Sequence, residues 1–346
     1  LELTDRSPIL CWLRRGDLRL ADHPALHAAA GTGRPVIPVF LKDECTDGLG
    51  AAARWRLEQS LRALAADLER RGARLVLRSG PAGPTLLALA EETGAGAIYW
   101  CRRYDPLAVG RDAEIKRAFR GGGTDARSFA GNILFEPWEV TTKSGTPFRV
   151  FTPMWNALRG RPVPPPLPAP ARLDAPGNWP VSDRLSDWRL GAEMNRGAAV
   201  LARHVLAGET AAQTRLEAFL DNALARYPQD RDRLEVDGTS GLSPFLAAGE
   251  ISARQCWHAA QRYREQGQPG AEAFLRQLVW REFAMHLLFH HPCLPARCWR
   301  PEWEAFAWNN DADRPAIRAW QRGRTGVPLV DAGIRQMMVT GTMHNR

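Results

Sequence analysis

The chain has 346 residues, with 46 Lys+Arg against 38 Asp+Glu, a net charge of +8, six Cys and 13 Trp. At ~150 residues per domain the length suggests two domains, and 45 % hydrophobic with 24 % charged residues excludes wholesale disorder. No apolar run approaches the ~20 residues of a membrane span, and the first residues lack the apolar core of a signal peptide, so the expectation is a cytoplasmic protein with no membrane partner.

Residues 8 to about 135 alternate strand and helix signals. Pro8-Ile-Leu-Cys-Trp-Leu13, Pro35-Val-Ile-Pro-Val-Phe-Leu41, Ala73-Arg-Leu-Val-Leu77 and Ala97-Ile-Tyr-Trp-Cys101 are short apolar runs suited to buried strands. Between them lie helical patterns over 24–30, 51–71, 84–93 and 106–120. In the second, Trp55, Leu57, Leu61, Leu64 and Leu68 recur near the 3.6 period. This alternation predicts a Rossmann-like parallel sheet covered on both faces, an α/β domain over 1–135. Residues 136–190 read as a Pro-rich interdomain linker. Pro162-Val-Pro-Pro-Pro-Leu-Pro-Ala-Pro170 favours extended polyproline and excludes a helix interior. From 191 to 346 the pattern is all-α, with helices expected at 192–207, 211–225, 253–265, 271–289, 314–322 and 329–339.

The six Cys are scattered, which fits reduced thiols better than a disulfide framework. Only Lys42, Lys116 and Lys143 are lysines, so the basic surplus is almost all Arg. Such a bias fits a GC-rich genome, and the charge permits a polyanionic partner without establishing one. His286, His290, His291, Cys293 and Cys298 have metal-ligand chemistry, but their spacing fits no common zinc motif, and no metal is expected.

Two segments carry stronger chemistry. Gly238-Thr-Ser-Gly-Leu-Ser-Pro244 sets hydroxyls and glycines ahead of a helix, as a phosphate cradle would. An ordinary Ser/Thr cap with Pro near the first turn is the plainer reading of the run. In Phe274-Leu-Arg-Gln-Leu-Val-Trp-Arg-Glu-Phe283, Gln277, Trp280 and Arg281 are i, i+3 and i+4 and share one helix face. An indole, an amide and a guanidinium together can stack on a base and hold a phosphate, while a buried core Trp is the plainer alternative.

The segments fall in the order of a known family. Trp12-Leu-Arg-Arg-Gly-Asp-Leu-Arg-Leu-Ala-Asp-His-Pro-Ala-Leu26 resembles the WFRRDLRLxDNPAL signature of the photolyase/cryptochrome flavoproteins. Phe135-Glu-Pro-Trp138, Lys143-Ser-Gly-Thr-Pro-Phe-Arg-Val-Phe-Thr-Pro-Met-Trp155, the 238–244 run, Gly249-Glu-Ile-Ser252, Trp280-Arg-Glu-Phe283, Trp320-Gln-Arg-Gly-Arg-Thr-Gly326, Asp331-Ala-Gly-Ile-Arg-Gln336 and Met343-His-Asn-Arg346 follow. The chain looks most like class I DNA photolyases acting on cyclobutane pyrimidine dimers.

The resemblance implies an α/β antenna domain and a helical domain holding FAD. Photoexcited reduced FAD passes an electron to a pyrimidine dimer flipped from UV-damaged DNA, and the ring splits. It implies a lyase that works as a monomer. By matched position, Tyr227, Thr239, Ser240, Gly241, Leu242, Ser243 and Arg281 line the FAD. Arg231, Gln277, Trp280, Arg281, Asn345 and Arg346 meet the DNA, with Gln277, Trp280 and Asn345 at the reacting bases. Trp308 matches the outer Trp of an electron-transfer chain.

Several positions depart from the pattern. Gln277 stands where dimer photolyases carry Glu, and Gln is typical of (6-4) photolyases. Phe245 replaces the His those enzymes use. A cryptochrome that senses blue light is the other alternative. Gly241 replaces an Arg and so removes a cation near the cofactor. Gly16 is inserted into the opening motif, which predicts a looser first turn. Leu107 and Ala108 replace the Asn-Glu pair of a folate antenna, which disfavours folate and leaves deazaflavin or no antenna open. In the family the MHNR segment lies inside a helix and more chain follows. No helix stop signal is evident before Arg346, so the chain reads as truncated and its helical domain as incomplete.

Overall fold

The computed structural model describes residues 6–309 and 314–345. Strands β1 (Ile9–Leu13), β2 (Val36–Lys42), β3 (Val76–Ser79), β4 (Ala97–Cys101) and β5 (Asp125–Phe129) form one parallel sheet in the order β3-β2-β1-β4-β5. Central strands of such a sheet are buried on both faces, and every residue of β1 and β4 is buried. The two-residue period then sorts the side chains. Ile9, Cys11, Leu13, Ala97, Tyr99 and Cys101 join one apolar cluster, and Leu10, Trp12, Ile98 and Trp100 join the other. Helices α1 (Pro24–Ala30) and α3 (Ala51–Glu69) cover the first face, while α4 (Ala82–Thr93) and α5 (Pro106–Gly121) cover the second; the short α2 (Glu44–Asp47) follows β2. Strand β5 is absent from the sequence expectation. It pairs only with β4, and its Asp125, Arg127 and Ser128 give no apolar run.

Within 136–190, α6 (Phe151–Leu158) buries Phe151, Met154, Trp155 and Leu158 in the core of the helical domain. The Pro-dense stretch after it forms no helix or strand until a 3₁₀ turn at Leu185–Trp188. Helices α7 (Arg196–Leu201), α8 (Glu209–Asn222), α9 (Tyr227–Asp230), α10 (Ser243–Ala248), α11 (Ala253–Glu265), α12 (Pro269–His290), α13 (Pro315–Gln321) and α14 (Pro328–Thr340) complete the described chain. The helix expected over 192–207 is broken. A 3₁₀ turn spans Ala192–Met194, and Asn195 at φ +48 starts α7 afresh. Helix α11 has the expected bounds because Ser252 and Gln255 form a reciprocal capping box. Helix α14 does stop before the MHNR segment. Gly341 takes the left-handed conformation (φ +75) and its N–H caps Met337 O, a stop signal that the sequence reading overlooked.

The two domains are joined by buried polar contacts. Gly16 N–H donates to Ala248 O (2.9 Å), and a Cβ on Gly249 would fall 1.9 Å from the Gly16 carbonyl carbon. Gly16 therefore tightens a backbone-to-backbone approach between the domains; it does not loosen the turn. Arg19, 1 % exposed, donates to the carbonyls of Asp22, Gly131 and Gly249. The Asp22 carboxylate accepts from Arg254, Ser252 Oγ and Leu167 N–H. Glu250, fully buried, pairs with Arg56 and accepts from Gly208 N–H (2.7 Å).

Candidate functional site

Helix α12 organises the site. Its first turn packs so closely on the 224–227 turn that a Cβ on Gly270 would meet Leu224 O at 1.6 Å. That contact seats Tyr227, buried and edge-on to Phe219 (5.4 Å) and Phe274 (6.1 Å). Leu242 enters the same apolar cluster, which continues through Leu278 and Phe283 to α6. The guanidinium of Arg231 lies 5.5 Å from the Tyr227 ring.

Two turns along, Trp280 lies flat on Phe151, with centroids 3.6 Å apart and planes 6° from parallel, and it remains 44 % exposed. Phe283 meets it edge-on at 5.8 Å. Arg276 lies 5.5 Å from the far partner, Phe151. The indole is packed on one face by Phe151 and remains open to solvent, so Trp280 is not a buried core residue. Gln277, half-buried, is one turn back on the helix. Arg281 Nη1 donates to Asn132 O (2.7 Å), so in this structure it ties α12 to the domain junction. Its neighbour Glu282 is buried and accepts from Leu134 and Phe135 N–H; burial raises its pKa to about 7, against the opposing pull of Arg281 and those two N–H groups.

Thr239 and Ser240 are half-buried, and Gly241 and Ser243 are exposed at the start of α10. The donor chemistry fits a flavin dinucleotide: hydroxyls and backbone N–H groups dominate, and a Cβ at Gly238 would strike Asp230 at 2.7 Å. Arg215, which the sequence reading missed, donates from α8 to the carbonyls of Ser240 (2.7 Å) and Thr239 (3.0 Å) and pairs with Asp237. No sequence signal joins it to a loop about 25 residues away. Phe151 is the other omission, and only its place in the Thr-Pro-Met-Trp segment marks it.

The remaining expected residues lie elsewhere. Trp308, 56 % exposed, belongs to a surface cluster with Trp303 and Phe306, and its N–H donates to Trp303 O (2.8 Å). Asn345 is exposed past the end of α14, which packs against α7 and α13. Arg346 lies outside the described residues. His286 and His290 meet ring to ring at 4.5 Å, and burial lowers the pKa of His286 to about 4; Cys293 and Cys298 are exposed.

A second concavity opens outside the carboxyl ends of β1 and β2, with Arg103 reaching in from beyond β4; carboxyl strand ends are the usual ligand side of a doubly wound sheet. This small cleft, about 50 Å³ in volume, is lined by Trp12, Arg14, Asp43, Cys45, Arg103 and Arg111 among others. The guanidinium groups of Arg14 and Arg111 lie 4.6 and 5.0 Å from the Trp12 ring. Asp43, Glu44 and Cys45 converge there, but all three contact Arg111, so a cation already occupies their centre. Leu107, where a folate antenna would need an amide, is exposed and apolar on α5.

Comparison with known proteins agrees with this architecture. Residues 9–171 match the family model for DNA photolyase, and residues 274–346 match that for the FAD binding domain of DNA photolyase. A deoxyribodipyrimidine photo-lyase of Agrobacterium fabrum is 44 % identical over 98 % of this chain and 71 % of its own length. Cryptochrome-1 of Arabidopsis thaliana is 34 % identical over 97 % of this chain and 51 % of its length. The crystal structure of a class III photolyase from Agrobacterium tumefaciens superposes with a TM-score of 0.94 at 44 % identity, over 98 % of this chain and 70 % of that one. The class I expectation is not supported by that likeness. The quoted motifs mark the family and do not separate its classes. The chain belongs to the DNA photolyase family, and it carries that family's α/β domain and FAD-binding domain sequence.

Proposed function

We propose that the protein is a light-dependent lyase that uses FAD to split cyclobutane pyrimidine dimers in UV-damaged DNA. The observation that carries the reading is Trp280, a half-exposed indole pre-stacked on Phe151 beside Gln277. A pyrimidine pair outside the duplex stack presents a flat face that such a ring can cover, and the Gln277 amide can meet a base carbonyl. FAD, when bound, supplies the light-driven electron transfer. The chain's own groups bind and orient: Tyr227 and the 239–243 run toward the flavin, Arg231 toward the phosphate backbone. The net charge of +8 favours a polyanion. The 44 % identity to a class III enzyme favours that class.

The test is a duplex oligonucleotide with one thymine dimer, incubated in blue light or darkness and resolved by chromatography. Dimer loss only in light is the expected result; equal loss in darkness overturns the reading. Trp280→Ala should weaken dimer binding by roughly tenfold or more, because stacking contributes ~1–3 kcal/mol per base, with little change in Tm. A parallel (6-4) substrate tests the alternative that Gln277 raises. Phe245 opposes it, being buried in the core where that chemistry needs a His. Photoreduction without repair of either lesion would favour a cryptochrome-like receptor.

A further inference from the structure

We infer that Arg215 is the positioning residue of the flavin loop: from α8 it turns the carbonyls of Thr239 and Ser240 to one side, so that the next two backbone N–H groups face the other. The inference rests on the reading that residues 239–243 line FAD.

Arg215 Nε donates to Ser240 O at 2.7 Å and Nη2 to Thr239 O at 3.0 Å. Its two terminal nitrogens also reach the Asp237 carboxylate at 3.1–3.2 Å. In a trans peptide the C=O and the following N–H point in opposite directions. Fixing the Thr239 and Ser240 carbonyls on Arg215 therefore sends the Ser240 and Gly241 N–H groups away from it. Gly241 is left-handed (φ +62) and Leu242 right-handed (φ −84, ψ −9). Such a pair gathers successive N–H groups into a concavity that takes an anion.

Gly241 and Arg215 fit each other. A Cβ at 241 would lie 2.7 Å from Arg215 Nε and 3.0 Å from Nη2. The missing side chain makes room for the guanidinium, so a cation stands beside the loop although position 241 supplies none. The rigid, planar spread of the guanidinium donors addresses two carbonyls and a carboxylate in fixed directions, which the single nitrogen of an ammonium does not reproduce. The pairing with Asp237 leaves little net charge, which makes the contribution one of orientation more than of attraction.

The experiment titrates the full chain with FAD and with riboflavin, which lacks the phosphates, following flavin fluorescence. Hydrogen exchange of the 237–243 peptide is measured alongside. Arg215→Lys and Arg215→Ala should each weaken FAD by roughly tenfold while leaving riboflavin unchanged, and should speed exchange in the loop. Gly241→Ala should reproduce the loss, because its Cβ displaces the guanidinium. Asp237→Asn, which spares both carbonyl bonds, should stay within about threefold of the parent. FAD affinity equal to the parent in Arg215→Lys and Arg215→Ala would overturn the role of Arg215 alone. Equal losses of FAD and riboflavin would overturn it too, since the phosphates would then not be what the loop addresses. A parent chain that takes up no FAD would overturn the cofactor reading and this inference with it.

Discussion

At the domain junction, Arg19, Asp22 and Glu250 are almost wholly buried and each meets two or more partners from distant segments. Along the outer face of α12, Trp280 is half-exposed, Gln277 half-buried, and an aromatic ring is the main support. The junction uses charge where water is absent, at high energetic risk if one partner is lost. The α12 face leaves flat apolar surface in water, which costs stability. Rigidity is therefore concentrated at the joint, and exposed aromatic surface is kept on the helix.

That contrast breaks most severely at Gly249. A Cβ there meets Gly16 backbone at 1.9 Å, and φ is +80. Gly249→Ala should cost about 3–5 kcal/mol, from overpacking and left-handed strain together, and appear in thermal melts as separated or lost domain docking. A wild-type melt would show that the domains do not approach this closely. Next, Glu250→Ala leaves Arg56 without its carboxylate and Gly208 N–H without its acceptor, and should cost about 3 kcal/mol in denaturant unfolding.

A smaller and more selective effect belongs to Glu282, where the two regions meet. Its folded pKa of about 7 exceeds the ordinary 4.5, so the native state holds the extra proton between those values. Stability from this group is therefore present below about pH 4.5 and falls as pH rises toward 7. The buried Asp17, raised to about 6, contributes in an overlapping window, so the comparison needs the variant. Glu282→Gln should flatten the pH 5–7 slope by about 1–3 kcal/mol relative to the parent, in unfolding curves taken across that range. Identical slopes would place the titration elsewhere.

The sequence exposed what local chemistry encodes. Strands β1, β2 and β4 announce themselves as apolar runs, β3 starts three residues into the run expected at Ala73–Leu77, and α11 fills the helical pattern expected over 253–265. Motif order supplied Tyr227, Trp280 and the 239–243 loop. Features made by distant partners stayed hidden. Strand β5 exists because β4 offers an edge, the Gly16–Gly249 approach needs both domains folded, and Arg215 finds its loop only after α8 is packed. The break at Asn195 and the stop at Gly341 depend on single left-handed residues inside otherwise helical patterns.

The grip of Arg19 has a further consequence. Its acceptors are four backbone carbonyl oxygens, those of Gly16, Asp22, Gly131 and Gly249, and a carbonyl carries no ionisable proton. Being 1 % exposed, it is also shielded from dissolved ions. One guanidinium thus ties together main chain from both sides of the junction, so a change at any of its anchor points would be felt at residues 16, 22, 131 and 249 at once.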